Sequence, residues 1–329
     1  GGVMNSFDRF GPFAAAPILF NFSLIVGMVC FTDMAGSAGH AMAWAVSVAG
    51  ILQLMWLTIA CRRMGIRLHW RMPRLTPRLR VLFRKMGPGV FGAGVAQINL
   101  LVDMIIASLL PVGAISFLYY ADRMYQLPLS VIGIAVGTAI LPMLTRALRG
   151  QDKSAANKFF GQGFEICLIL ALPSAAAYLV LAPEIMDILF ARGEFSVAES
   201  RQSAYALMGY ALGLPAFVLA KVLAAVFFAH HDTATPVRYA VICAVMNTVL
   251  ALLFSQMLAA DGFGHVGIAF ATGLTAWVNT ILLLRGLKRF GDISLHKKSA
   301  QRLFMILLAT IGMAVILWGG ARTALPFVE

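Results

Sequence analysis

Four ionisable residues, Asp103, Asp122, Arg123 and Lys221, stand deep within long apolar runs. A charge held in hydrocarbon is expensive, and by default it marks a function. Asp122 and Arg123 are adjacent in Ile115-Ser-Phe-Leu-Tyr-Tyr-Ala-Asp-Arg-Met-Tyr-Gln-Leu-Pro128, and the run continues to Pro142 with no further charge until Arg146. Arginine offers a rigid fork of donors that captures phosphate or carboxylate through paired bonds, and it stays charged when desolvated. That is anion-binding chemistry. Asp103 follows Gln97 and Asn99, while Asn247 and Thr272 supply oxygens at comparable depth. Such oxygens can coordinate a small hard cation, and lone Asn and Thr in membrane helices also bond neighbouring helices. Lys221 lies about two turns from the inner end of its run, which leaves both snorkelling and substrate contact open.

The elements that carry these residues follow from composition. Of 329 residues, 60% are apolar and only 12% charged, with a mean hydropathy of +0.84. A soluble domain carries about a quarter charged residues, so the chain reads as an all-α, polytopic transmembrane helix bundle. Nine runs are long enough to span a bilayer at about 20 residues each. They lie near 13–31, 41–61, 89–110, 115–145, 164–183, 203–229, 238–258, 265–285 and 303–320. The opening Gly1-Gly-Val-Met-Asn-Ser reads as the tail of an earlier helix, so the chain reads as a fragment.

The net charge of +12 does not point to nucleic acid, because the basic residues sit in short loops between apolar runs. The connection from 62 to 88 carries Arg62, Arg63, Arg67, Arg71, Arg74, Arg78, Arg80, Arg84 and Lys85 and no acid. The positive-inside rule makes it cytoplasmic, and its pattern suits an amphipathic piece on an anionic leaflet. Arg146, Arg149, Lys153 and Lys158, then Arg238, then Arg285 to Arg302 fall on the same side. The opposite loops are neutral or acidic, which puts the first end inside and the last outside.

Spans three and four form a hairpin through Pro111-Val-Gly113. Asp103 lies ten residues before Gly113 and Arg123 ten after it. At about 1.5 Å per residue both stand roughly 15 Å below the tip, at matching depth. Two readings stand: a shared cavity, or a buried ion pair that fixes helix register. Such a pair adds little net stability, which favours the cavity.

Catalytic signatures are missing. The six histidines sit in or beside loops, with no H-E-x-x-H and no phosphate-binding G-x-x-x-x-G-K-[ST] loop. Cys30, Cys61, Cys167 and Cys243 lie in apolar runs without metal spacing and read as packing residues. The reading is a transporter with no cofactor, driven by a gradient or by substrate flux, and not an enzyme.

Several ordered motifs resemble one family. They are Asn5-Ser-Phe-Asp-Arg-Phe-Gly-Pro-Phe-Ala-Ala-Ala-Pro-Ile-Leu-Phe-Asn21, Ala43-Trp-Ala-Val-Ser-Val-Ala-Gly-Ile-Leu-Gln53, Lys85-Met-Gly-Pro88 and Tyr119-Tyr-Ala-Asp-Arg-Met-Tyr-Gln-Leu-Pro128. Gly133-Ile-Ala-Val-Gly-Thr-Ala-Ile-Leu-Pro142 and Lys221-Val-Leu followed by Asp232-Thr-Ala-Thr-Pro-Val-Arg238 complete the set. Together they resemble the MurJ (MviN) family of lipid II flippases, in the MOP exporter superfamily. The resemblance implies a multi-pass protein of the bacterial inner membrane that serves peptidoglycan synthesis, cell wall biogenesis and cell shape. It also implies fourteen spans, of which these nine look like the fifth to the thirteenth. On that register 1–61 ends an N-terminal lobe, 62–88 is a basic cytoplasmic linker, and 89–258 carries spans three to seven of the C-terminal lobe. Residues 259–285 give its last core span, and 286–329 a basic loop plus the first helix of a lipid-tail groove.

Carried over by residue, Arg123 matches a cavity arginine for the lipid II pyrophosphate, with Asp122 beside it, Ser116 matching a cavity serine, and Lys221 in the same headgroup set. Asp103, Asn247 and Thr272 match a sodium site, which implies sodium coupling. Ala251 replaces an acid found in some relatives, and Gln126 a Glu. The implied partners are lipid II and membrane lipids, with a monomeric protein. The rival classes are a cation-coupled multidrug antiporter, a polysaccharide-lipid flippase, a membrane enzyme on polyprenyl phosphates, and a structural scaffold. An antiporter for cationic drugs calls for an acidic cavity, and an enzyme for clustered acids or histidines at the membrane face.

Overall fold

The computed structural model describes residues 4, 11–32, 36–65, 76–136, 140–150, 152–230, 232–290 and 297–324. Arg67, Arg71 and Arg74 of the basic connection, residues 137–139 of the run to Pro142, and the opening Gly1-Gly-Val lie outside the described residues. Among the described residues there are ten α-helices. They are α1 (Gly11–Phe31), α2 (Ala38–Arg63), α3 (Pro77–Ser108), α4 (Ala114–Ala135), α5 (Leu141–Arg149), α6 (Lys153–Phe190), α7 (Val197–Ala229), α8 (Ala234–Met257), α9 (Gly264–Leu287) and α10 (Lys297–Ala324). In hydrocarbon each backbone N–H and C=O needs a partner within the chain, and helices provide it segment by segment.

Two compact units result, Gly1–Thr76 and Pro77–Glu329. The first is a hairpin of α1 and α2. Its contact face is built from small residues: Ala41 and Ala49 are fully buried, and a Cβ on Gly27 would stand 2.4 Å from the Ala45 Cβ. Small side chains let the backbones approach closely where apolar burial gives no drive. Gln53 donates to the Ala16 carbonyl and Trp56 to the Pro12 carbonyl, both at 2.9 Å, closing the hairpin with polar bonds.

The second unit is built around α7, which packs against α9, α6 and α4. Leu207, Leu214, Leu223 and Phe227 of α7 are fully buried. A capping box starts the helix: Glu199 N–H donates to the Ser196 hydroxyl, and Ser196 N–H donates to the Glu199 carboxylate. Around Pro215, where the helix lacks one backbone donor, α9 supplies two donors from its side chains. Trp277 Nε1 bonds the Leu212 carbonyl and Thr280 the Ala216 carbonyl, each at 2.8 Å. On the other flank Tyr178 of α6 donates to the Met124 carbonyl of α4 at 2.7 Å. Gly113, at φ +102°, takes a left-handed conformation that begins α4 and turns the α3–α4 hairpin.

The span boundaries move from those expected. Among the described residues seven helices are long and apolar enough to cross a membrane, and α3 contributes a shorter apolar stretch, Gln97–Ser108. The 22-residue α4 is long enough by length but carries Asp122 and Arg123 in its middle. The amphipathic piece expected around 74–85 is not separate among the described residues, because α3 runs unbroken from Pro77 through Gly87-Pro88-Gly89. A continuous helix keeps its backbone bonds internal, which an unwound connection entering the membrane would forfeit. The fourth run, expected as one span to 145, instead divides. α4 ends at Ala135, π-helical turns occur at Val136 and Ile140, and α5 begins at Leu141 with Pro142 in its first turn. Proline is favoured there because the first-turn N–H has no helical partner to lose.

At the α7–α9 crossing a Cβ on Gly213 would stand 2.5 Å from the Gly273 Cα, backbone against backbone. Gly213→Val therefore forces the helices apart, with an expected loss of about 1–3 kcal/mol for overpacking. A lowered unfolding midpoint of the detergent-purified full-length protein, with Gly213→Ala falling between, checks this.

Candidate functional site: a polar cavity in the second unit

Helices α3, α4, α7, α8 and α9 line a cavity of about 560 Å³ that takes in Asp103, Asn247 and Thr272 together with Asp122 and Lys221. At one end Asp103 and Asn247 are buried, at 9% and 2% exposure. Asn247 Nδ2 donates to Asp103 Oδ1 and to Asn99 Oδ1, each at 3.1 Å. Asn99 Nδ2 lies 3.4 Å from Asp103 Oδ2. Thr272 and Thr275 turn their hydroxyls toward Asn247 Oδ1, each at 3.5 Å. Thr272 also hydrogen-bonds Asp103. One carboxylate thus sits in a ring of amides and hydroxyls that ties α3, α8 and α9 together. The expected trio of Asp103, Asn247 and Thr272 is brought together as read. Asn99 joins it, and Thr275, one turn from Thr272, was missed.

The middle of the cavity belongs to α4. Asp122 faces it and accepts a hydrogen bond from Gln126 one turn on. Tyr125 and Tyr210 close the wall, ring centroids 5.5 Å apart. At the far end Lys221 of α7 reaches across to α4: its Nζ lies 2.8 Å from where a Cβ on Gly133 would stand. Lys221 is an exposed residue that lines this end of the cavity. Ser130 and Asn279 line the same end.

Arg123 departs from the expectation of a cavity shared with Asp103. It is exposed, it does not line the cavity, and among the described residues it has no ion-pair partner. Helix geometry gives the reason. Neighbours in sequence point about 100° apart, so Asp122 and Arg123 cannot face the same way. Arg123 stacks instead over Tyr119, its guanidinium carbon 4.6 Å from the ring centroid. Ser116, Tyr119 and Arg123, all exposed, recur at helical spacing and form one outward stripe of α4. Arg123 and Ser116 are therefore on the stripe, and Asp122 and Lys221 in the cavity.

Ala251, fully buried on α8 one turn from Asn247, adds no oxygen to the ring. Among the described residues no group of three or more His, Cys, Asp or Glu is placed to hold a metal ion.

A bundle of long apolar helices around a cavity with polar lining defines a multi-pass membrane protein. The family model for lipid II flippase MurJ matches residues 1–328, and the chain belongs to that family. A probable lipid II flippase MurJ of Rhizobium meliloti is 40% identical over 321 residues, covering 96% of this chain and 59% of that protein. The Haemophilus influenzae counterpart is 34% identical over 328 residues, covering 97% and 62%. The chain thus spans about three fifths of the length of these relatives. A solved structure titled as lipid II flippase MurJ in an inward closed conformation overlays with a TM-score of 0.73 at 21% identity. That overlay covers 99% of this chain and 70% of the other, and it supports the fold.

Removing the Asn247 side chain leaves Asp103 buried with its main donor gone, which costs about 1–3 kcal/mol. Asn247→Ala should lower the unfolding midpoint of the full-length protein, and Asp103→Asn combined with it should recover part of the loss. A double mutant no more stable than Asn247→Ala would contradict this accounting.

Proposed function

We propose that the protein to which this chain belongs translocates lipid II from the cytoplasmic to the periplasmic leaflet of the bacterial inner membrane by alternating access. Family membership supplies the substrate, and the observation that carries the reading is the state of Arg123. An arginine within a membrane-crossing hairpin, exposed on one helix face with an aromatic ring beneath it and no described acid paired to it, is placed to take an external anion. Its fork fits a pyrophosphate through paired bonds, and Ser116 on the same stripe adds a hydroxyl. Neutralising the headgroup charge in a polar environment, while the polyprenyl tail stays in lipid, removes the cost of carrying a pyrophosphate through hydrocarbon. The protein acts as a monomer among membrane lipids and forms no covalent intermediate.

For the driving force we propose sodium. Asp103, Asn99, Thr272 and Thr275 offer one carboxylate and neutral oxygens, the hard donor set that suits a small cation. Asn247 presents its NH₂ to Asp103 in this structure, so the other oxygens carry the fit.

In cells depleted of their own flippase, full-length protein bearing Arg123→Ala should fail to restore growth at normal expression, and Arg123→Lys should restore it only weakly because a point charge replaces a fork. Wild-type growth of Arg123→Ala would remove Arg123 as the headgroup anchor. In proteoliposomes, translocation should rise with an inward sodium gradient, and Asp103→Asn should abolish that dependence. Equal rates with and without the gradient in the wild type would exclude sodium.

A further inference from the structure

Resting on the flippase reading, we infer that the cavity of the second unit is a subsite for the peptide of the lipid-linked precursor, separate from the Arg123 stripe. The anion stripe and the cavity are on different faces of α4, so one helix presents two chemistries. The stripe has a single cation and suits a pyrophosphate. The cavity has both signs: Asp103 at one end, Asp122 at its middle and Lys221 at its inner end, with the amides of Gln126 and Asn279 and the Ser130 hydroxyl between or beside the last two. Amides, hydroxyls and charges of both signs are the partners that a peptide backbone with a carboxylate terminus requires.

Two further observations point to a ligand. Tyr125 is 5% exposed, lines the cavity, and its hydroxyl has no hydrogen-bond partner among the described residues. The Asn279 carbonyl oxygen, on the opposite wall, is buried and likewise without a partner there. Buried polar groups are nearly always bonded, so two unbonded ones facing the same cavity mark where a ligand supplies the bonds. Their types are complementary to an amide: a phenol that donates to a peptide C=O, and a carbonyl that accepts from a peptide N–H.

The length also matches. The Lys221 ammonium lies beside Gly133, which is 133 − 122 = 11 residues beyond Asp122 on α4. At a helical rise of about 1.5 Å per residue the two charges stand roughly 16 Å apart along the axis. An extended peptide covers that distance in about five residues. The carboxylate terminus then meets Lys221, and Asp122 takes an N–H or ammonium group nearer the sugar. The cavity volume of about 560 Å³ falls within the range of sites that enclose a small ligand.

The experiment compares two substrates on the full-length protein in vesicles: the polyprenyl-pyrophosphate disaccharide with its pentapeptide, and the same lipid without peptide. Lys221→Met should lower transport of the first relative to the second by roughly tenfold, the loss of about one charge-assisted bond, and Lys221→Arg should recover most of the ratio. Arg123→Ala should depress both substrates together. An equal fall on both substrates with Lys221→Met, or no fall on either, overturns the peptide subsite while leaving the flippase reading intact. A wild type that carries neither lipid overturns both. Should Lys221→Met fail to fold, Asn279→Leu is read by the same ratio, and an unchanged ratio there overturns the proposal.

Discussion

The structure depends on how a membrane protein keeps a carboxylate in its interior. Asp103 has no described cationic neighbour, and its charge is managed by donors drawn from three helices: Asn99 of α3, Asn247 of α8 and Thr272 of α9. A buried charge that lost those donors would cost several kcal/mol. The ring is therefore a registration device, since α3, α8 and α9 satisfy it only at one relative height. The aromatic and hydroxyl bonds around Pro215 of α7 do the same on the other side of the bundle. Between these two polar ties the packing is apolar, from large side chains such as Leu207, Leu214 and Leu223 as well as small ones, and polar register supplies the specificity that apolar contact in lipid lacks.

Much of this was legible in the residues. The apolar runs located nearly every helix, and the hairpin count placed Asp103 and Arg123 at one depth, whereas it is the neighbouring Asp122 that shares the cavity with Asp103. Helix ends were poorly read, because hydropathy reports where lipid touches a helix and not where its backbone bonds stop. α6 begins at Lys153, well before the apolar core of its run, and α3 begins at Pro77. Facing was the other failure. Asp122 and Arg123 look like one unit in a string, yet helical geometry sends them to different surfaces. Tyr125 and Asn279 escaped notice because an unbonded hydroxyl or amide is invisible until its neighbours are known. Thr275 looked like any threonine bonding back to its own helix, which it also does, donating to the Ala271 carbonyl at 2.9 Å.

The position of Lys221 shows how a small residue opens a site. Gly133 has no side chain where the ammonium sits, so the lysine stem can cross to α4 at the end of the cavity that Lys221 lines. Any larger residue at 133 would occupy that place and turn the lysine elsewhere. α4 ends two residues beyond this contact, at Ala135.

The outermost helix has a different relation to its surroundings. α10 packs on α6, and no residue of its apolar window is buried within the protein. Its polar tie to the bundle is the Arg302–Glu165 ion pair at 2.9 Å. Glu165 lies 12 residues into α6, which begins at Lys153, and the Arg302 side chain is largely exposed, so the contact weakens as ionic strength rises. Over its apolar window α10 is left uncovered by the rest of the described chain, so what surrounds that helix, and not packing within the chain, determines where it stands.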